Sequence, residues 1–393
     1  MNAVATRMNA SVRYEPLEDM AHTPVPFADL SIQWDQIRPA AMADLEKLFA
    51  ESAFCQGPWA TAFEAQIADY LGAKHAVAVN SGSSALHVAT IAAGIGRGDK
   101  VLVPAHTFIG TIWGLIYEGA IPVFCDVDDA TGTIDLADAE RRMEPGVKAI
   151  IPVHLYGQPV DLPATLAFAE RHGLTVIEDC AQAIGACHQG RSVGTFGAMG
   201  CFSFYPGKNL GGAGEGGLVV TDDGDKADLM RAVRNHGQGE RYVHERVGYN
   251  YRMDGIQALV LSHKLRRLDG WTDQRRAVAA RYAEALAGTP LRLPVTAHGD
   301  HVYHLYVVRT RQRDALKAFL DARGVQTGLH YPVPLYRQPC LSGIASSHAT
   351  APFPVTEDWA ANGLSLPMFA GMTAEQQDQV IDAIHDFFKG SRS

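Results

Sequence analysis

The run His75-Ala76-Val77-Ala78-Val79-Asn80-Ser81-Gly82-Ser83-Ser84 is apolar at its centre and closes on serine and glycine, and Ala85 to Ala93 then favours helix. This predicts a strand, a turn and a capped helix. Upstream, Asp44 to Leu71 has apolar residues at helical spacing, broken at Gln56-Gly57-Pro58, which predicts helix, tight turn, helix. Downstream the alternation continues: strand Lys100–Pro104, helix Thr107–Glu118, strands Ile121–Asp126 and Ala149–His154, helix Ala164–His172, strand Thr175–Asp179. Strands alternating with helices at this rate predict an α/β fold, a mostly parallel sheet sandwiched by helices. Ligands in such sheets sit beyond the carboxyl ends of the strands.

After Asp179 the texture changes. Gly185 to Gly217 is glycine-rich, and Cys201–Tyr205 and Leu218–Thr221 are expected as antiparallel or edge strands. A helical segment from Met253 to Leu286 is expected to link two domains, which a length of 393 residues also suggests. The tail reads as a small α+β unit: strand His301–Thr310, helices Arg313–Arg323 and Thr373–Phe388.

A formal charge of -9 without a basic run argues against a nucleic-acid partner. The six cysteines contain no C-x-x-C pair, so neither a disulfide framework nor a metal site is expected. The first two dozen residues lack an apolar signal region, and no stretch approaches a membrane span. The expectation is a cytoplasmic enzyme with no membrane partner.

Three features carry chemistry. Ser81 to Ser84, at a strand-to-helix junction, is either a phosphate cradle built on a helix N-terminus or a plain N-cap. Asp179, ending an apolar strand, points into the ligand crevice; it suits a pyridinium nitrogen, a metal ion or a cap. Lys208, in Ser203-Phe204-Tyr205-Pro206-Gly207-Lys208-Asn209-Leu210, sits among apolar and glycine residues. Burial there would lower its pKa and prepare its amine for Schiff-base chemistry, whereas an exposed loop lysine would do nothing. Gly212, Gly214 and Gly217 match G-x-G-x-x-G but precede a strand, and Gly207-Lys208 lacks the earlier glycine of a P-loop, so neither nucleotide motif holds.

Taken together, these segments resemble the sugar aminotransferases of the DegT/DnrJ/StrS group, within the fold-type I (aspartate-aminotransferase fold) pyridoxal-phosphate enzymes. The resemblance runs from Val25 to about Phe388 and rests on Phe54–Pro58, Asn80–Leu86, Pro104–Phe108, Asp179–Gly185, Phe202–Gly217, Gly248–Ala258 and Gly328–Leu335. It implies pyridoxal 5'-phosphate as cofactor, Lys208 as the Schiff-base lysine and Asp179 as partner of the ring nitrogen. By the same resemblance Gln182 lies on the ring's hydroxyl side, Phe108 on its face, and Ser83, Ser84 and Ser203 at its phosphate. Asn250 is similar to an asparagine that reaches the phosphate from a neighbouring subunit, which implies a homodimer with shared sites. The implied organisation is an N-terminal arm over 1–30, a cofactor-binding large domain over 31–265 and a smaller α+β domain over 266–393.

The implied reaction takes an amino group from glutamate to a nucleotide-linked keto sugar. The loop Phe204 to Leu210 resembles enzymes acting at C3 of a 6-deoxyhexose, in which Tyr205 and His330 line the sugar pocket. Glu215 departs from the aspartate usual in that subset and matches enzymes acting at C4. A pyridoxal-phosphate dehydratase, which carries histidine at the lysine position, and a non-catalytic regulator are the remaining alternatives. His301 and His304 are expected on opposite faces of a strand, with no role.

Overall fold

Turn chemistry cuts the chain into its elements. The computed structural model describes residues 24–346 and 352–390, so most of the expected N-terminal arm lies outside the described residues. Helix α1 (Ser31–Ala50) is followed by α2 (Gly57–Leu71), which has Pro58 in its first turn and stops at Gly72 in the left-handed region, φ 72°. After β1 (His75–Val79), Ser81 caps α3 (Gly82–Ala92) by accepting from the Ser84 N–H at 3.0 Å. The alternation then runs β2 (Lys100–Pro104), α4 (Gly110–Glu118), β3 (Ile121–Cys125), α5 (Leu136–Arg142), β4 (Val147–Ile150), α6 (Leu162–His172) and β5 (Thr175–Asp179). A short hairpin, β6 (Cys187–His188) and β7 (Arg191–Ser192), precedes β8 (Met199–Ser203) and β9 (Gly217–Thr221). The remaining elements are α7 (Gly224–Arg234), α8 (Gly255–Leu265), α9 (Leu268–Ala285), β10 (Tyr306–Arg309), α10 (Arg313–Asp321), α11 (Pro354–Asn362), β11 (Gly363–Leu366) and α12 (Ala374–Gly390).

Seven strands form one sheet in the order β1-β9-β8-β5-β4-β2-β3. Pairings β2–β3, β2–β4, β4–β5 and β5–β8 are parallel, and only β9 runs against its neighbours. Strands β8 and β9 are therefore interior, and β8 is parallel to β5, which corrects the edge-strand expectation. Burial on both faces explains why their sequences are continuously apolar. Alternate residues serve opposite faces: Val77 and Val219 join the core under α3, α4 and α7, whereas Ala78 and Leu218 join the core under α2 and α8.

A separate core gathers Val278, Tyr282, Val308, Leu316, Leu364 and Ile384 around the antiparallel pair β10–β11. Val25 joins it and bridges Val325. The expected single helix Met253–Leu286 is two helices, broken at Arg266-Arg267. The expected strand His301–Thr310 shrinks to β10, because Val302 and Leu305 donate to the carbonyls of Gly157 and Tyr156 instead of to a sheet neighbour.

Register brings the functional ends together. Gly217 pairs with both Val79 and Ser203, so the end of β1, the end of β8 and the start of β9 meet beside the end of β5. Gly217 is required there, since a Cβ would lie 2.2 Å from the Ser81 carbonyl oxygen.

Candidate active site

At those strand ends lies a cavity of about 820 Å³, lined among others by Ser83, Phe108, Asp179, Gln182, Ser203 and Lys208. Tyr205, Glu215, Arg275, His304, His330 and Tyr331 complete much of its wall. Phe204, fully buried, packs edge-on against Phe63 at 5.5 Å and anchors the lysine loop. Such burial contributes about 1.5 to 3 kcal/mol.

Asp179 is buried at the end of β5. Its Oδ1 accepts from the Ala181 N–H at 3.0 Å and its Oδ2 from the Thr111 hydroxyl at 2.8 Å. Burial pushes its pKa up, opposed by those two bonds and by the positive charge of Lys208. Behind it, Glu178 accepts from the N–H groups of Gly194, Phe196 and Gly197 and from His154 Nε2. His154 Nδ1 accepts from the Val160 N–H at 3.2 Å, so the ring proton is on Nε2. His154, Glu178 and Cys180 are close enough to suggest a metal cluster, but the Glu178 carboxylate is already filled by protein donors.

Lys208 keeps part of its surface open to the cavity, yet enough protein surrounds it that desolvation lowers its amine to about 8, with Asp179 pulling the other way. Opposite, the α3 N-terminus presents the Gly82-Ser83 turn. A Cβ on Gly82 would meet Ser203 Cβ at 2.7 Å, and one on Gly110 would meet Ser83 Oγ at 2.9 Å, so both glycines keep the cradle open. Ser83 and Ser203 line the cavity as expected. Ser84 does not: it is buried, and its hydroxyl donates to Asn80 Oδ1 at 2.7 Å and meets Ser81 Oγ at 2.8 Å, because its helical position turns it toward the cap.

Phe108 is 52% exposed although the cavity surrounds it, and its ring lies 5.6 Å from that of Tyr331. Gln182 accepts from the Tyr156 N–H at 2.6 Å and donates to the Tyr331 hydroxyl at 3.0 Å. His330 Nδ1 meets Ser365 Oγ at 2.8 Å, the ring stacks on Phe27, and burial and Lys208 lower its pKa to about 4. Tyr156 donates its hydroxyl to the His330 carbonyl and is itself bonded by His106 Nε2 at 2.8 Å. Tyr205 is 55% exposed at the mouth. Asn250 is exposed and does not line this chain's cavity. Sequence reasoning missed Thr111, Tyr331 and Arg275, and assigned no role to His304, which does line the cavity.

The DegT/DnrJ/EryC1/StrS aminotransferase family model matches residues 35–385. The chain belongs to that family. The aminotransferase is 42% identical to UDP-N-acetyl-3-dehydro-alpha-D-glucosamine 3-aminotransferase of Acidithiobacillus ferrooxidans, over 94% of this chain and 99% of that protein. It is 43% identical to a pleiotropic regulatory protein of Geobacillus stearothermophilus, over 93% and 99%. Its fold matches that of S. venezuelae DesV, solved in complex with a ketimine intermediate, with TM-score 0.90 and 42% identity over 94% and 99% of the two chains. The aminotransferase is thus a fold-type I, pyridoxal-phosphate-dependent enzyme. Its residues fit the cofactor: a buried carboxylate short of cationic partners, a desolvated amine, an exposed aromatic face and an open helix N-terminus share one cavity.

Proposed function

We propose that the aminotransferase carries an amino group from glutamate to C3 of a nucleotide-linked 3-keto-6-deoxyhexose. The observation that carries this reading is the Lys208 amine and the Asp179 carboxylate lining one cavity with Phe108 and the Gly82-Ser83 turn. Bound pyridoxal phosphate supplies an electron sink for the charge left when a proton leaves the carbon beside nitrogen. Asp179 holds the ring nitrogen in its protonated state, Gln182 faces the ring's hydroxyl side, and Phe108 offers a flat apolar face. Gly82, Ser83 and Ser203 receive the phosphate, and Ser84 braces that turn through Asn80 and Ser81. Lys208 Nζ holds the cofactor, then takes and returns the proton; an amine brought to about 8 exchanges protons near neutrality.

Tyr205 at the mouth and His330 in the wall shape the sugar pocket. His330, held neutral by burial, acts as an uncharged hydrogen-bonding group. The name of the Acidithiobacillus relative supports C3. The regulatory name of the Geobacillus relative weighs less than the retention of Lys208 and Asp179. The active unit is proposed as a homodimer in which Asn250 reaches the neighbour's phosphate, a reading supported by its exposure away from its own cavity. A division into 31–265 and 266–393 belongs to the same proposal, with limited proteolysis as its check. So does a cytoplasmic location, supported by six unpaired cysteines and checked by cell fractionation.

The test is incubation of the cofactor-loaded enzyme with glutamate and UDP- or dTDP-linked keto hexoses, with products identified by mass and NMR. Amination at C3 is expected. Exclusive amination of 4-keto sugars would show that Glu215, which lines the same cavity, marks the correct subset, and inertness toward all keto sugars would end the proposal.

A further inference from the structure

Helix α9 places Arg275 in the wall of the cavity beside His304, Leu305 and Met368. Only 5% of the residue is exposed, and no carboxylate touches it. Its Nη1 donates to the carbonyls of Tyr303, His304 and Met368 at 3.1, 3.4 and 3.1 Å. Nε is buried without an acceptor, and Nη2 makes no hydrogen bond among the described residues. Arg309 shows what the fold does elsewhere with an arginine this buried: at 4% exposure it pairs with both Asp129 and Asp358. A buried guanidinium without a counter-ion is costly, and carbonyl dipoles offset only part of that cost. Burial pulls Arg275 down to about 10, so it remains a cation at neutral pH.

Nη2 is the nitrogen left for an occupant of the cavity, since Nε is sealed from it, and a charged N–H···O bond from Nη2 suits one oxygen of a carboxylate. The occupant must reach it from inside the cavity, since Leu305 and Met368 beside it are themselves buried. That favours a small planar anion over a nucleotide pyrophosphate, which needs the open mouth near Tyr205 and Glu215. The phosphate cradle at Gly82-Ser83 is built from other elements. We propose that Arg275 is the group that recognises a carboxylate of the amino donor, an inference that rests on the glutamate-to-keto-sugar reading.

The experiment separates the two half-reactions by the cofactor's absorbance in wild type, Arg275→Gln and Arg275→Lys. In Arg275→Gln the glutamate concentration for half-saturation should rise about 10- to 100-fold, the range for a charged hydrogen-bonded pair. Arg275→Lys, which keeps the charge but not the reach and planarity of the guanidinium, should fall between. The keto-sugar half-reaction, started from the aminated cofactor form, should keep its half-saturation within about twofold, because a donor site is not used there. Glutarate, a dicarboxylate with no amino group, should inhibit in competition with glutamate and weaken in the same proportion, a readout independent of turnover. Equal losses in both half-reactions, or unchanged glutamate and glutarate affinity, would overturn the proposal and leave Arg275 as a tie between α9 and the loops it bonds. If Arg275→Gln does not fold, Arg275→Lys carries the comparison. Failure of the donor reading itself shows in wild type, which would then react with a different amino acid; the same variants on that donor decide Arg275.

Discussion

Few groups favour the charged form of Asp179 against its burial, and Thr111 is the one that the first turn of α4 supplies. The Thr111 hydroxyl donates at 2.8 Å to a carboxylate that burial pushes toward its neutral form. Removing it raises the Asp179 pKa further, so the carboxylate loses charge at a higher pH than before and is most affected as pH falls. Thr111→Val, close to isosteric, should slow both half-reactions alike by about tenfold, the effect of one hydrogen bond to a charged group, and by more at pH 6 than at pH 8. Steady-state and single-turnover rates at the two pH values check this, and unchanged rates would remove Thr111 from the site. Lys208 and Asp179 were legible because each stands where its residue type is unusual: a lysine among glycines and aromatics, an acid ending an apolar strand. Thr111 was not, since a threonine in a helix start is ordinary, and its partner lies 68 residues away.

Among the elements, the extended segment Tyr249–Arg252 carries the proposed contact across a dimer interface. Asn80 N–H donates to the Tyr251 carbonyl at 3.0 Å, while Tyr249 and Tyr251 donate to the carbonyls of Val233 and Arg234 at 2.7 and 3.0 Å. The rings of Tyr249 and Tyr251 stack at 5.0 Å, and His87 Nδ1 meets the Tyr251 hydroxyl at 3.1 Å. Asn250, between them, is presented outward on a backbone with little freedom. Mixing Lys208→Ala with Asn250→Ala subunits should restore about a quarter of the sites, because half of the dimers are hybrids and each hybrid has one site with neither lesion. No recovery despite demonstrated subunit exchange would mean that Asn250 does not act across an interface. Element boundaries were legible where caps and glycines mark them, as at Ser81 and Gly72. The break at Arg266-Arg267 was not, because helical composition runs through it: α8 packs in the cores beneath the large sheet, whereas α9 leaves them at Leu268 and Trp271 for the second core at Val278 and Tyr282.

Across the whole molecule, burial keeps four imidazoles neutral. It lowers His106 and His301 to about 3, His330 to about 4 and His304 well below its ordinary value. As pH falls below about 6.5 the unfolded chain protonates these residues and the folded chain does not. Stability is therefore full above that pH and is lost as pH drops toward 4, by about 1.4 kcal/mol per pH unit for each histidine that stays neutral. Urea midpoints at pH 7, 6 and 5 should fall in that order, and a midpoint independent of pH over this range would show that the imidazoles are not held neutral. What the sequence by itself determined is whatever depends on neighbours along the chain: the alternation of strands and helices, the capped turn at Ser81, and the chemical character of Lys208 and Asp179. Only the tertiary structure decided what depends on register and crossing. The antiparallel placement of β9 inside the sheet brings the ends of β1, β8 and β5 to one cavity, and the path of α9 delivers Arg275 to its wall. Local composition specifies dihedral preference and which face is apolar; it carries no term for which distant strand a segment will pair with, or which buried charge will be left without a partner.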